Sequence, residues 1–213
     1  MDLVYPGGRI YWSDPTGYSL DRQELDIGAS SATTADLNRD GYLDLIFARG
    51  SYSDTSPDPQ GVIVWGSGTG LHIDNSTDFP FRSRLPMIGG VADFNRDGFL
   101  DLIFTDVDAP NTEIFWGWEL GTYTPQRVEH LKVHSASTVE IADLNADGWL
   151  DLILGAVYDP NDFGRPMRKV TLLWGSQENF SIERSLELEA YESEEQAVAD
   201  LNKDGYLDIV MTK

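Results

Sequence analysis

Large apolar residues along this chain fall in short runs, and four of those runs are entered through a polar nonamer of fixed form. The copies read ADLNRDGYLDLIF from Ala35, ADFNRDGFLDLIF from Ala92, ADLNADGWLDLIL from Ala142 and ADLNKDGYLDIVM from Ala199. Their first aspartates, Asp36, Asp93, Asp143 and Asp200, stand 57, 50 and 57 residues apart. A second landmark precedes each copy: Tyr11-Trp12-Ser13, Val64-Trp65-Gly66, Phe115-Trp116-Gly117 and Leu173-Trp174-Gly175. Two landmarks in fixed order at a period near fifty residues are the signature of a repeat architecture. Within each repeat the alternation predicts four short strands. Strand A enters the nonamer, as in Gly89-Gly90-Val91-Ala92, and strand B leaves it as Leu-Asp-Leu-Ile-Phe or a close variant. Strand C is typified by Gly61-Val62-Ile63-Val64-Trp65, and strand D follows a Gly-Ser-x-x-Gly turn, as in Leu71-His72-Ile73. Glycine or proline interrupts every candidate helical period. The predicted class is all-β.

The order of strands sets the expected domain organisation. The chain opens on strands read as C and D (Arg9 to Trp12, Gly17 to Leu20) and ends on A and B (Gln196 to Ala199, Leu207 to Met211). Three units are expected at about 30–80, 87–130 and 136–188, within one domain spanning 1–213. The fourth is expected as a split unit, 189–213 combined with 1–27, because joining the two ends would remove two exposed sheet edges.

Composition narrows the function classes. The 213 residues are 41% apolar with a formal net charge of −21, from 36 acidic and 15 basic residues. That much apolar content supports a folded core despite the charge. Few and scattered cations argue against nucleic acid as a partner. No stretch reaches the ~18 consecutive apolar residues of a membrane-spanning helix. The N-terminus has no signal-peptide pattern, so an export signal would have to lie outside this sequence. Cysteine is absent, which excludes disulfides and thiolate metal sites.

Much of the acidity lies in the nonamers. Each places oxygen-bearing side chains at positions 1, 3, 5 and 9 and glycine at position 6, a pattern suited to a hard cation that takes six to eight oxygens. The expected ligand sets are Asp36, Asn38, Asp40 and Asp44; Asp93, Asn95, Asp97 and Asp101; Asp143, Asn145, Asp147 and Asp151; and Asp200, Asn202, Asp204 and Asp208. The position-7 carbonyls of Tyr42, Phe99, Trp149 and Tyr206 would add one oxygen each. Four Ca²⁺ ions, eight positive charges, would move the formal balance from −21 to −13. An EF-hand is excluded by its twelfth position, which requires glutamate but here is Phe47, Phe104, Leu154 or Met211. The plainer reading is a set of solvated Asx-rich turns, which do not require an aspartate at position 9 in all four copies.

On these residues the sequence resembles the FG-GAP/VCBS repeat family, known from integrin α-subunit propellers and bacterial surface proteins. The resemblance rests on the four D-x-N-x-D-G-x-x-D loops, the apolar strand after each and the Trp-Gly-Ser-type strand end before each. It implies a β-propeller with four-stranded antiparallel blades, calcium loops between the first two strands of a blade, an extracellular location and a role in adhesion or recognition. Four blade-equivalents are fewer than the seven or so usual in that family. A small ring, half of a twofold dimer, a filament built by strand exchange and part of a longer protein all remain open at this point. A non-catalytic scaffold with a protein or carbohydrate ligand, or one that self-associates through its split unit, is the leading expectation. The alternative is an accessory or catalytic domain of a polysaccharide-active enzyme.

Weaker signals add little. Trp12, Trp65, Trp116 and Trp174 recur at one position and are expected to pack between units, whereas Trp118 is unrepeated and is a candidate ligand platform. Variable B-to-C connections carry Tyr52, Tyr158, Phe163, Arg165 and Arg168, the natural place for recognition. His130 and His134 lie four apart in a strand-like context and are not expected to bind metal.

Overall fold

The structure, a computed structural model, describes residues 2–50, 61–79, 86–156, 158–159, 162–166, 169–190 and 195–212. Its strands fall into sheets in chain order. The first sheet is β1 (Leu3–Tyr5), β2 (Arg9–Asp14) and β3 (Gly17–Glu24). The second is β4 (Ser31–Ala35), β5 (Asp44–Ala48), β6 (Gly61–Val64) and β7 (Ser76–Phe79). The third is β8 (Pro86–Ala92), β9 (Asp101–Asp106), β10 (Thr112–Phe115) and β11 (Val128–Leu131). In the fourth, β12 (Ala136–Ala142) and β13 (Asp151–Ala156) are followed by a separate hairpin of β14 (Tyr158–Asp159) and β15 (Asp162–Pro166). The sheet is then completed by β16 (Lys169–Leu173) and β17 (Ser185–Glu189). β18 (Gln196–Ala199) and β19 (Asp208–Met211) make the fifth. The three central sheets are antiparallel and ordered A-B-C-D, as the repeat predicts.

The B strands explain how sheets stack. Successive side chains on a strand point to opposite faces, and β5, β9 and β13 are buried throughout, so both faces are covered. Leu45 and Phe47 of β5 face back onto Ile10, Leu25 and Ile27 beside the first sheet. Ile46 and Ala48 face forward onto Leu102, Phe104 and Phe115 of the third. The same division sends Ile103 forward onto Leu152 and Leu154, and Ile153 forward toward Val198, Ile209 and Met211. Each interface is thus a separate hydrophobic layer. Three of the four repeated tryptophans pack where expected, with Trp65, Trp116 and Trp174 each partly buried in one of these layers, whereas Trp12 is 45% exposed and joins none of them. The A strands β4, β8, β12 and β18 follow one another along one side. Ser31 Oγ accepts from Ile88 N at 2.8 Å, and Thr138 Oγ1 donates to Gln196 Oε1 at 2.8 Å.

Two expectations are corrected. Residues 71–73 carry no strand; strand D of the second sheet is Ser76–Phe79, registered so that Phe79 lies opposite Gly61. The Phe79 ring fills the space that a Cβ on Gly61 would take, 1.9 Å away. The second correction is larger. β19 does not join β2 to complete a split unit of 189–213 with 1–27: the edge of β2 expected to receive it is occupied by β1. Leu3 pairs with Tyr11 and Val4 with Ile10, the register in which Leu45 pairs with Val64 and Ile46 with Ile63. Asp2-Leu3-Val4-Tyr5 is therefore a fifth B strand, and the first sheet is B-C-D.

Close approach between A strands depends on Gly89, where an added Cβ would stand 2.1 Å from Val139 Cγ1. Gly89→Ala is expected to destabilise by ~1–3 kcal/mol through overpacking, measured as a lower urea midpoint. Adding Val139→Ala should recover part of that loss, as neighbouring sites couple in a double-mutant cycle.

Candidate metal centre

Three of the four loops draw the chain around themselves with the same four bonds, and the Asp93 loop with three of them. In the first copy Asp36 accepts from Asp40 N through Oδ1 at 3.0 Å and from Gly41 N through Oδ2 at 2.9 Å. Asn38 Oδ1 accepts from Asp40 N, and Asp40 Oδ1 accepts from Tyr42 N. The Asp143 and Asp200 loops repeat all four bonds. Position 6 requires glycine because its φ lies at +87° to +91°, at Gly41, Gly98, Gly148 and Gly205.

The ninth residue acts differently. Asp44 Oδ2 accepts from Leu37 N at 2.8 Å and Oδ1 from Gly66 N at 2.9 Å, so one carboxylate ties the loop's second residue to the end of strand C. Asp101 holds Phe94 N and Gly117 N, and Asp151 holds Leu144 N and Gly175 N, at 2.8–2.9 Å. All three aspartates are 0% exposed. Burial pushes their carboxyls up against the lowering effect of the two N–H donors, and the other carboxylates of each loop push the same way. For Asp101 the value reaches about 7.

The glycine after each tryptophan is a consequence of this clamp. A Cβ at Gly66, Gly117 or Gly175 would stand 2.3, 2.1 or 2.1 Å from the carbonyl oxygen of Leu43, Leu100 or Leu150, the eighth loop residue. In the first sheet the equivalent residue is Ser13. Its N–H donates to Asp2 Oδ1 at 2.7 Å, so Asp2 stands at the ninth position of a B strand with no loop before it among the described residues. Sequence reasoning missed Asp2, although the tetrapeptide Asp2-Leu3-Val4-Tyr5 matches Asp44-Leu45-Ile46-Phe47 in type.

Neighbouring loops are linked by arginines. Arg39, at position 4, lies 5.5 Å from the Phe99 ring of the next loop, and Arg96 lies 4.5 Å from Trp149. The ladder stops at Ala146, which holds the same left-handed backbone (φ 57°) but cannot reach Tyr206. Trp118 lies beside it: Arg127 stacks 4.7 Å from its ring, and Phe99 is 5.5 Å away on the neighbouring loop.

The donor set was tested against a hard cation. Each loop brings three carboxylates, one side-chain amide oxygen and backbone carbonyls, with neither sulfur nor imidazole. Asp93 Oδ1 is buried without a hydrogen-bond partner, whereas Oδ1 of Asp36, Asp143 and Asp200 each hold an N–H. Among the described residues no three Asp, Glu or His side chains already converge as a cluster. The carboxylates are turned onto backbone N–H groups, each oxygen keeping a further lone pair. The chemistry of the set fits calcium. His130 instead contacts Glu113, 3.1 Å away. Tyr52 and Arg168 lie outside the described residues, as do the side chains of Tyr158, Phe163 and Arg165.

Residues 93–154, from the first aspartate of the second loop to Leu154 in β13, match the family model of the FG-GAP-like repeat. This segment is similar to that repeat. It contains the Asp93 and Asp143 loops, and the Asp36 and Asp200 loops outside it carry the same D-x-N-x-D-G-x-x-D nonamer. No curated protein matches the chain in sequence. Among solved structures, the chain is similar to the V. cholerae biofilm matrix protein Bap1, with 16% identity and a TM-score of 0.47. That alignment covers 94% of this chain and 30% of the other.

Gly117→Ala is expected to break the Asp101 clamp, since backbone rather than a movable side chain meets the new Cβ. Leaving a buried carboxylate oxygen unpaired costs ~1–3 kcal/mol or more, seen as a lower melting temperature. Ala146→Arg should extend the ladder onto Tyr206, adding ~0.5–1 kcal/mol and slowing amide exchange across the Asp200 loop.

Proposed function

We propose that this chain is a set of calcium-stabilised β-propeller blades, non-catalytic and extracellular, serving adhesion or recognition. The observation that carries the reading is the recurrence of one loop: four nonamers with the same donor set, three closed by the same four bonds and the Asp93 loop by three of them. Asp36, Asn38, Asp40 and Asp44 would hold one ion with the Tyr42 carbonyl. Asp93, Asn95, Asp97 and Asp101 would hold a second with that of Phe99. Asp143, Asn145, Asp147 and Asp151 would hold a third with that of Trp149, and Asp200, Asn202, Asp204 and Asp208 a fourth with that of Tyr206.

Calcium there would supply positive charge where carboxylates face one another, locking strand A to strand B. The A strands following one another along one side, with side chains bonded across them, support a propeller arrangement around an axis. Burial raises the Asp44, Asp101 and Asp151 carboxyls, and each is tied to two backbone N–H groups, an arrangement that holds position. A protein or carbohydrate ligand is expected on the exposed side, where Trp118 presents a ring braced by Arg127 and Phe99.

An ion that binds only the folded state at a hundred times its Kd stabilises by ~2.7 kcal/mol, or ~5–10 °C in a chain of this size. Excess EGTA should therefore lower the melting temperature by at least about 5 °C. Calorimetric titration of the chelated protein should return four sites, and three for Asp101→Asn. An unchanged melting temperature with no calorimetric binding would overturn the calcium reading.

A further inference from the structure

The third and fourth sheets depart from the repeat at the end of their A strands remote from the nonamers. β8 shifts register between Ile88 and Gly90, and β12 between Ala136 and Thr138, whereas β4 and β18 pair with their B strands without a shift. A β-bulge re-aims side chains and recurs beside functional sites. Beside these two bulges lies a cavity of about 350 Å³, formed by β8, the end of β9, β12 and the start of β18. The third and fourth sheets supply most of its lining, and each packs against a neighbouring sheet on both faces.

The polar atoms of this cavity suit a ligand that donates hydrogen bonds. Thr105 lines it, is 1% exposed, and has its Oγ1 buried without a hydrogen-bond partner. Ala48 and Gly155 hold the same place in the B strands of the second and fourth sheets, so this hydroxyl is no part of the repeat. Leaving such a group unpaired costs ~1–3 kcal/mol. Two further hydroxyls have their protons engaged: Ser137 Oγ donates to Gly155 O at 3.3 Å, and Thr138 Oγ1 to Gln196 Oε1 at 2.8 Å. What each keeps for a ligand is lone pairs. Glu140 adds a carboxylate, and no lysine, arginine or histidine is among the described residues of the lining. That balance favours a cation with several N–H donors over any anion. Met87, Ile88 and Val139 make an aliphatic side, and no aromatic ring stands among the described lining residues for a sugar to stack on.

We propose that this cavity binds a primary alkylammonium group. An ammonium carries three N–H donors on one atom, and the hydroxyl oxygens of Thr105, Ser137 and Thr138 with the Glu140 carboxylate are its acceptors. The methylene stem lies along Met87, Ile88 and Val139. A free amine and the lysine side chain of a bound protein share this chemistry. The site is at the other end of the A strands from the nonamers, goes beyond the calcium reading and does not rest on it.

The probe is n-butylammonium chloride, a lysine side chain without its backbone, titrated into the full chain with calcium present and followed by amide chemical shifts. 1-Butanol and sodium butyrate, with the same stem but no positive charge, are titrated beside it. Shifts centred on Thr105, Ser137 and Thr138 are expected for butylammonium alone, with a Kd on the order of a few millimolar for so small a ligand. Nα-Acetyl-lysine methylamide is the second arm. Binding at least as tight as butylammonium assigns the site to a protein lysine, and weaker binding assigns it to a free amine. Thr105→Val and Glu140→Gln should each weaken butylammonium by about tenfold, the scale of one charged hydrogen bond. Because valine removes a hydroxyl without a partner, Thr105→Val should also melt no lower than the parent. A lower melting temperature would show that hydroxyl already satisfied by water and would overturn the proposal. Equal binding of butanol or butyrate would do the same, as would no shift at the cavity with butylammonium, or shifts that survive both substitutions. The readout is local to the cavity, so its failure leaves the calcium reading untouched.

Discussion

The carboxylate at the start of each of β5, β9 and β13 fixes most of what surrounds it. It sits fully buried and accepts one N–H from the loop that precedes it and one from the strand end that follows, more than a dozen residues later in chain order. A buried carboxylate without such partners would cost several kcal/mol. In these three sheets the loop, the B strand and the C strand are therefore tied to one another through a single carboxylate. Glycine after the tryptophan follows from the same bond, because only a residue without Cβ lets the strand end come down over the eighth carbonyl. The nonamer and the tryptophan–glycine landmark are two halves of one contact, which is why they recur in fixed order.

Between sheets the logic changes from polar to apolar. Each B strand divides its side chains between the sheet before and the sheet after, so no sheet has a core of its own and each is stable only beside a neighbour. The loops add a second connection at the rim through Arg39 over Phe99 and Arg96 over Trp149. Position 4 and position 7 of the nonamer thus serve the adjoining loop, whereas positions 1, 3, 5 and 9 serve their own. This accounts for Tyr42 and Tyr206 being the exposed members of the aromatic position: neither has a stacked arginine from the loop before it.

What could be read in the sequence was whatever repeats with a side chain of distinctive chemistry. The four loops, the all-β class and the three central four-stranded sheets follow from Asp, Asn, Gly and Trp at fixed spacing. Strand D of the second sheet was misplaced because its position is set by Phe79 filling the space over Gly61, a contact between strands that local alternation does not reveal. β1 was missed because its strand is three residues long and no nonamer is described before it, leaving Asp2 as the one marker. The double role of the ninth aspartate was hidden for a different reason. Side-chain type at position 9 suggested a ligand, but its bond to the strand-C glycine depends on tertiary approach across the intervening loop.

Ser13 shows how one side chain decides which strands can combine. Three tryptophans are followed by glycine and one by serine, a difference that reads as neutral drift at a turn until the eighth loop carbonyl is placed above it. Where a nonamer precedes the B strand, serine at that point would drive Cβ into backbone, and no rotamer relieves a clash at Cβ. Where the B strand is Asp2–Tyr5, no eighth carbonyl is described, and serine is accepted with its hydroxyl adding a second bond to Asp2 at 2.8 Å. The first sheet is thus fitted to the short strand it has, and a sheet with a full nonamer is fitted to glycine after its tryptophan. β19 and β2 look complementary in strand type, but Ser13 after the tryptophan makes them mismatched.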